Sequence, residues 1–69
     1  MERVPVSSSN IVSIGYDEDS LLLEVEFKNG SIYQYSGVSS DEHSALMNAS
    51  SKGSYLHTSI KHHPFQRIQ

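Results

Sequence analysis

Seven residues with a period of two constrain this chain more than any other feature. In Leu21-Leu22-Leu23-Glu24-Val25-Glu26-Phe27, the odd-numbered positions are all apolar, and Leu22, Glu24 and Glu26 alternate with them. Side chains on a strand point to its two faces in turn, so this run reads as a half-buried strand. Lys28-Asn29-Gly30 follows at once and is a strong hairpin signal. Ser31-Ile32-Tyr33-Gln34-Tyr35-Ser36 is the returning strand. Upstream, Ile11-Val12-Ser13-Ile14-Gly15-Tyr16 is rich in β-branched residues, and Asp17-Glu18-Asp19-Ser20 is a polar turn. Residues 11–36 therefore read as a three-stranded antiparallel meander.

A sheet with one apolar face needs a covering layer. The chain has 69 residues, which allows one domain. A domain of that size buries only about 60% of its unfolded surface. There is no cysteine, which excludes a disulfide staple, thiol catalysis and cysteine-based zinc sites. The cover must come from the residues after Gly37-Val38, where the period changes. Ser39 and Glu42 form a capping box, and Asp41 and Glu42 suit the positive end of a helix. Ala45, Leu46 and Ala49 supply an apolar stripe with Met47 at its margin, so a helix is expected at 40–49. A second helix is expected from Ser51 or Gly53, with Tyr55, Leu56 and Ile60 inward and Lys52, His57 and Lys61 outward. His63 precedes Pro64, which stops it by about His62.

The expected fold is α+β: a three-stranded antiparallel β-meander followed by two short C-terminal helices packed on one face. Ile14, Leu23, Val25, Phe27, Leu46, Tyr55, Leu56 and Ile60 are the expected core. Residues 1–10 are expected to form an extended N-terminal arm on a single domain of residues 11–69. Phe65 and Ile68 are candidates for a lid that folds back on the core.

The hairpin turn decides where two tyrosines point. A two-residue turn at Asn29-Gly30 pairs Phe27 with Ile32 and puts Tyr33 and Tyr35 beside Glu26 and Glu24. A turn with Gly30 as a left-handed bulge pairs Phe27 with Ser31 and puts both tyrosines on the face of Val25 and Leu23. The two registers are exclusive, because a one-residue slip flips every side chain. The bulged register buries more apolar area.

Charge is uneven along the chain. The net formal charge is -3, but residues 1–42 hold all eight acids against Arg3 and Lys28. Residues 43–69 hold Lys52, Lys61 and Arg67, all four histidines and no acid. Either the fold keeps a basic face apart from an acidic one, or the two parts neutralise each other. No apolar run is long enough for a membrane-spanning helix, and the N-terminus lacks the apolar core of a secretory signal. A cytoplasmic location and no membrane partner are expected.

An ordered set of short motifs resembles the KTSC domain. It comprises Ile14-Gly15-Tyr16-Asp17, then Leu21-x-Leu23-x-Val25-x-Phe27-x-x-Gly30, Tyr33-Gln34-Tyr35 and Val38. Ala49-Ser50-Ser51-Lys52-Gly53-Ser54-Tyr55 and Ile60-Lys61 complete it. The resemblance spans about residues 8–65, and His62-His63-Pro64-Phe65 departs from the pattern. This short domain is named from the C-terminus of some lysyl-tRNA synthetases and occurs as small stand-alone bacterial and phage proteins. The resemblance implies a small binding domain, with RNA as the associated ligand class.

Two classes of function fit the residues. The first is nucleic-acid binding, above all RNA, through a basic C-terminal helix face. Ser51, Lys52, Gly53 and Ser54 open a helix with N–H and hydroxyl donors and a cation, and His57 and Lys61 extend the charge. Tyr33 and Tyr35 are either a stacking platform or core residues with hydroxyls at the rim. The alternative is a protein–protein interaction module, or a homodimer, docking through the acidic sheet face or edge. No catalytic residues and no cofactor are expected, since no Gly-x-Ser-x-Gly elbow or comparable constellation exists. No metal site is expected from His57, His62 and His63: the His-Glu-x-x-His pattern is absent, and adjacent histidines at a helix end diverge.

Overall fold

The Asn29-Gly30 hairpin forms the middle of the sheet. In the computed structural model, which describes residues 1–69, Phe27 N–H donates to Ser31 O at 2.9 Å and Gly30 N–H to Phe27 O at 3.0 Å. Gly30 has φ 93°, the left-handed geometry that closes a bulged turn. Asn29 Oδ1 accepts from Ser31 N–H at 3.0 Å and holds the turn from inside. Val25 consequently faces Tyr33, and Leu23 faces Tyr35. The bulged register is the one adopted, and both tyrosines lie on the face opposite Glu24 and Glu26.

Five strands run antiparallel in chain order: β1 (Arg3–Pro5), β2 (Ile11–Asp17), β3 (Leu22–Phe27), β4 (Ile32–Ser36) and β5 (Phe65–Arg67). The expected three-stranded meander is the centre of this sheet, which gains one strand at each edge. Arg3–Pro5 lies within the segment expected as an arm and pairs with β2. Pro5 has no N–H to donate, which an edge strand tolerates. Phe65 and Ile68 do not form the expected lid: Phe65 and Arg67 belong to β5. They pair with Tyr35 and Tyr33, and Phe65 and Ile68 stay 57% and 42% exposed.

Leu21 also departs from expectation. It has φ 56° and belongs to the β2–β3 turn, not to the inner face of β3. Asp17 Oδ1 accepts from Asp19 N–H at 3.1 Å, and this local bond closes the turn from its own side chain.

Helix α1 (Ser40–Asn48) follows β4 and has both halves of its capping box. Glu42 N–H donates to Ser39 Oγ at 3.1 Å, and Ser39 N–H donates to Glu42 Oε1 at 3.0 Å. Leu46 is its buried residue, while Ala45 is exposed and outside the apolar stripe. Helix α2 (Lys52–Tyr55) runs on into a π-helical turn at Leu56–Ile60, where Lys61 N–H reaches Leu56 O at 2.9 Å. Leu56 and Ile60 point inward from that turn. No helix is long and apolar enough to cross a membrane.

The core lies between the helices and one sheet face. It contains Ile11, Ile14, Leu23, Val25, Tyr35, Val38, Leu46, Leu56 and Ile60. Phe27 and Tyr55, expected inside it, are half-buried at its margin. Ile11 enters because the ladder shifts between Ile11 and Ser13. That bulge lets Ile11 face the core while Ser13 faces Glu26 on the other side.

Candidate nucleic-acid interface

The acids of β3 are matched on their own face. Arg3, Gly15, Glu24, Gln34 and Gln66 form one row across the five strands. The Arg3 guanidinium donates to Glu24 Oε2, and Gln34 Nε2 donates to Glu24 Oε1 at 3.0 Å. Glu26 Oε1 accepts from Ser13 Oγ at 2.9 Å, with Arg3 Nε 3.9 Å away. The ion pairs of the molecule are these two of Arg3 and one between His63 and Glu42. Lys52, Lys61 and Arg67 therefore have no Asp or Glu partner, although Arg67 Nε donates to Gln69 O at 3.0 Å, and of the basic part of the chain only His63 meets an acid, Glu42.

On the helix side, the sheet carries a chain of aromatic rings. The Phe65 ring lies 5.7 Å from that of Tyr33 and 5.8 Å from that of Tyr35. Phe27 meets Tyr33 edge-on at 5.8 Å. Tyr35 is buried, Tyr33 and Phe27 are half-buried, and Phe65 is open to solvent. Alternation places them: Phe27, Tyr33, Tyr35 and Phe65 all occupy inward ladder positions. Arg67 sits opposite Tyr33 in the ladder. Lys61 and His57, with Nζ and Nε2 3.4 Å apart, share a cleft with Phe27 and Tyr35. Burial, and to a lesser degree Tyr33, push the Tyr35 phenol above its usual range.

The residues singled out at the second helix divide into three groups. Ser51, Gly53, Ser54 and His57 line one polar cleft together with Asn10. Ser51 Oγ already accepts from Ser54 N–H at 3.4 Å. Asn10 lies against Gly53, where an added Cβ would come within 2.6 Å of its Oδ1. Lys52 turns away and donates to Ala49 O at 3.2 Å. Lys61 faces the aromatic side, where His57 joins it. Phe27 shares the tyrosines' face in the bulged register, as expected, but Phe65 was not legible as their partner. The available signal was a three-residue Phe-x-Arg alternation, too short for a period.

The rule that adjacent histidines diverge fails here. The His62 and His63 ring centroids are 4.4 Å apart, and Glu42, His62 and His63 bring donor atoms within 4.8 Å of one another. The hydrogen bond from His63, then that from the Ser39 backbone, holds the Glu42 carboxyl below its usual range. Nearby, Tyr16 stacks on His43 with centroids 4.4 Å apart and donates to Val38 O at 2.5 Å. Burial is the main cause that raises the Tyr16 phenol, with Glu18, Glu42 and Asp17 adding, and burial lowers His43.

The family model of the KTSC domain matches residues 7–65. An uncharacterized protein of Stutzerimonas stutzeri is 39% identical over 70 residues, covering 99% of each chain. The crystal structure of a KTSC domain protein from Yersinia pestis is similar throughout. Its TM-score is 0.92 at 44% identity, over 99% of this chain and 97% of that one. The chain belongs to the KTSC domain family.

Proposed function

We propose that this domain is a binding module, not an enzyme, and that its ligand is single-stranded RNA. The reading rests on one observation: Phe65 stands exposed against Tyr33 and Tyr35, with Arg67, Lys61 and His57 around the rings and the β3 carboxylates on the opposite face. Exposed aromatic rings accept bases by stacking, worth about 1–3 kcal/mol per base. The cations around them meet phosphates. The polar cleft of Ser51, Gly53, Ser54 and His57 is an adjoining place for backbone contact, with most of its donors capped.

The charge count limits the strength of this binding. With about two or three phosphates neutralised, log K falls with log salt at a slope near -1.4 to -2.1 for a single strand. Stacking then carries much of the affinity, so binding persists at moderate salt and shows little preference for sequence. Fluorescence anisotropy with a labelled oligouridine tests this. Phe65→Ala should weaken binding by about tenfold or more, the equivalent of one lost stack. Lys61→Glu should weaken it and flatten the salt slope. Equal affinity for wild type and Phe65→Ala would reject the aromatic surface. No RNA binding, together with a concentration-dependent dimer lost in Phe65→Ala, would favour the protein-docking reading.

A further inference from the structure

The turn after the π-helical segment gathers three groups that suit a transition-metal ion. His63 N–H donates to Ile60 O at 2.9 Å, closing a tight turn across Lys61 and His62. On a regular helix, successive side chains diverge by about 100°. This turn instead brings the two imidazoles together, with planes inclined by 30°. Glu42 supplies the third group from the first turn of α1. Its Oε2 lies 2.7 Å from His63 Nε2.

The Glu42 carboxylate is also oriented from behind. Its Oε1 accepts the Ser39 backbone N–H at 3.0 Å, the kind of outer hydrogen bond that fixes a carboxylate ligand. The donor atoms of Glu42, His62 and His63 lie within 4.8 Å of one another. A tetrahedral zinc ion with bonds of about 2.0–2.1 Å needs its donors about 3.3–3.5 Å apart. The exposed His62 ring reaches that spacing by rotating. The Glu42–His63 pair reaches it by opening, with the metal taking the place of the shared proton.

We propose that Glu42, His62 and His63 form a binding site for a zinc-class divalent cation, with three protein donors and an open fourth position. Two imidazoles and one carboxylate suit zinc and its neighbours, whereas magnesium and calcium prefer oxygen donors alone. The bound ion ties the segment leading into β5 to the start of α1, and so braces the strand that carries Phe65. The site is independent of the RNA reading.

Untagged protein is titrated with Zn²⁺ by isothermal calorimetry, with ¹H–¹⁵N spectra of the histidine rings recorded alongside. One-to-one binding is expected, with the His62 and His63 rings shifting and that of His57 unmoved. His62→Ala and Glu42→Gln should each lower the affinity by at least about 10–100-fold, the cost of losing an outer partner of a ligand alone. His62 is exposed and Gln keeps an acceptor for Ser39 N–H, so both variants should stay folded, which their amide spectra check. His57→Ala should bind as wild type does. Absence of saturable binding, or binding that survives His62→Ala, overturns the proposal.

Discussion

Arg3 reaches Glu24 across the bare backbone of Gly15, and this contact ties the edge strand β1 to the middle of the sheet. A Cβ at Gly15 would lie 3.0 Å from Arg3 Cγ and 3.1 Å from Glu2 O. A side chain there would push on Arg3 and on the Glu2 backbone, which would have to give by a few tenths of an ångström. Glu24 is only 9% exposed, so its charge depends on Arg3 and Gln34 for compensation. Arg3→Met should destabilise the domain by about 1.5–3 kcal/mol, the range for a hydrogen bond to a charged group. Gly15→Ala should cost a similar amount by overpacking. Urea unfolding of Gly15→Ala, Arg3→Met, Glu24→Gln and the Arg3→Met, Glu24→Gln double variant checks this. The pair should cost less than the sum of its singles.

The two tyrosines of β4 should separate sharply in the same assay. Tyr35 is 6% exposed inside the core, whereas Tyr33 is half-buried between Phe27 and Phe65. Tyr35→Ala should cost about 3–5 kcal/mol. Tyr33→Ala should cost clearly less. Phe65→Ala, at an exposed position, should stay within about 1 kcal/mol of wild type.

Leu21 offers a stabilising change. It holds φ 56° and is 42% exposed, so it bears left-handed strain and returns little burial. Leu21→Gly should raise stability by up to about 1 kcal/mol, because glycine adopts this geometry without the Cβ clash. A higher urea midpoint with an unchanged m-value is the expected record.

Acid should weaken the fold in two stages. Burial lowers the pKa of His43, so the unfolded chain binds its proton first. Stability then falls as pH drops below the unfolded value near 6.5 and levels off below the folded value. Glu42 has its pKa lowered chiefly by His63. Its contribution is full above the unfolded value near 4.3 and is lost as pH falls through the lower folded one. Stability measured from pH 8 to pH 3 should show both losses. Glu42→Gln should remove the lower one alone.

What the sequence revealed and what it hid follow from interaction range. Leu23–Phe27 and Asn29-Gly30 specify a strand and its turn within a few residues, and Ser39 with Glu42 marks a helix start within four. Leu21 extends the alternation one residue beyond the strand, since period alone does not sense a left-handed backbone. β1 and β5 have three residues each, and their pairing partners, not their own pattern, make them strands. Phe65 joins Tyr33 and Tyr35 only through that pairing. Glu42 meets His62 and His63 across some twenty residues of chain, which no local spacing rule detects.

The central claim is that RNA binds on the aromatic side of β4 and β5. Its most direct test is a ¹H–¹⁵N shift titration of the full chain with a short oligouridine, at low and at physiological salt. The account predicts shifts that cluster on Tyr33, Tyr35, Phe65, Arg67, His57 and Lys61, weaken moderately with salt and fade in Phe65→Ala. Glu24, Glu26 and Ser13 on the other face should not move. Shifts centred on that outer face, or no shifts at millimolar RNA in low salt, would contradict it.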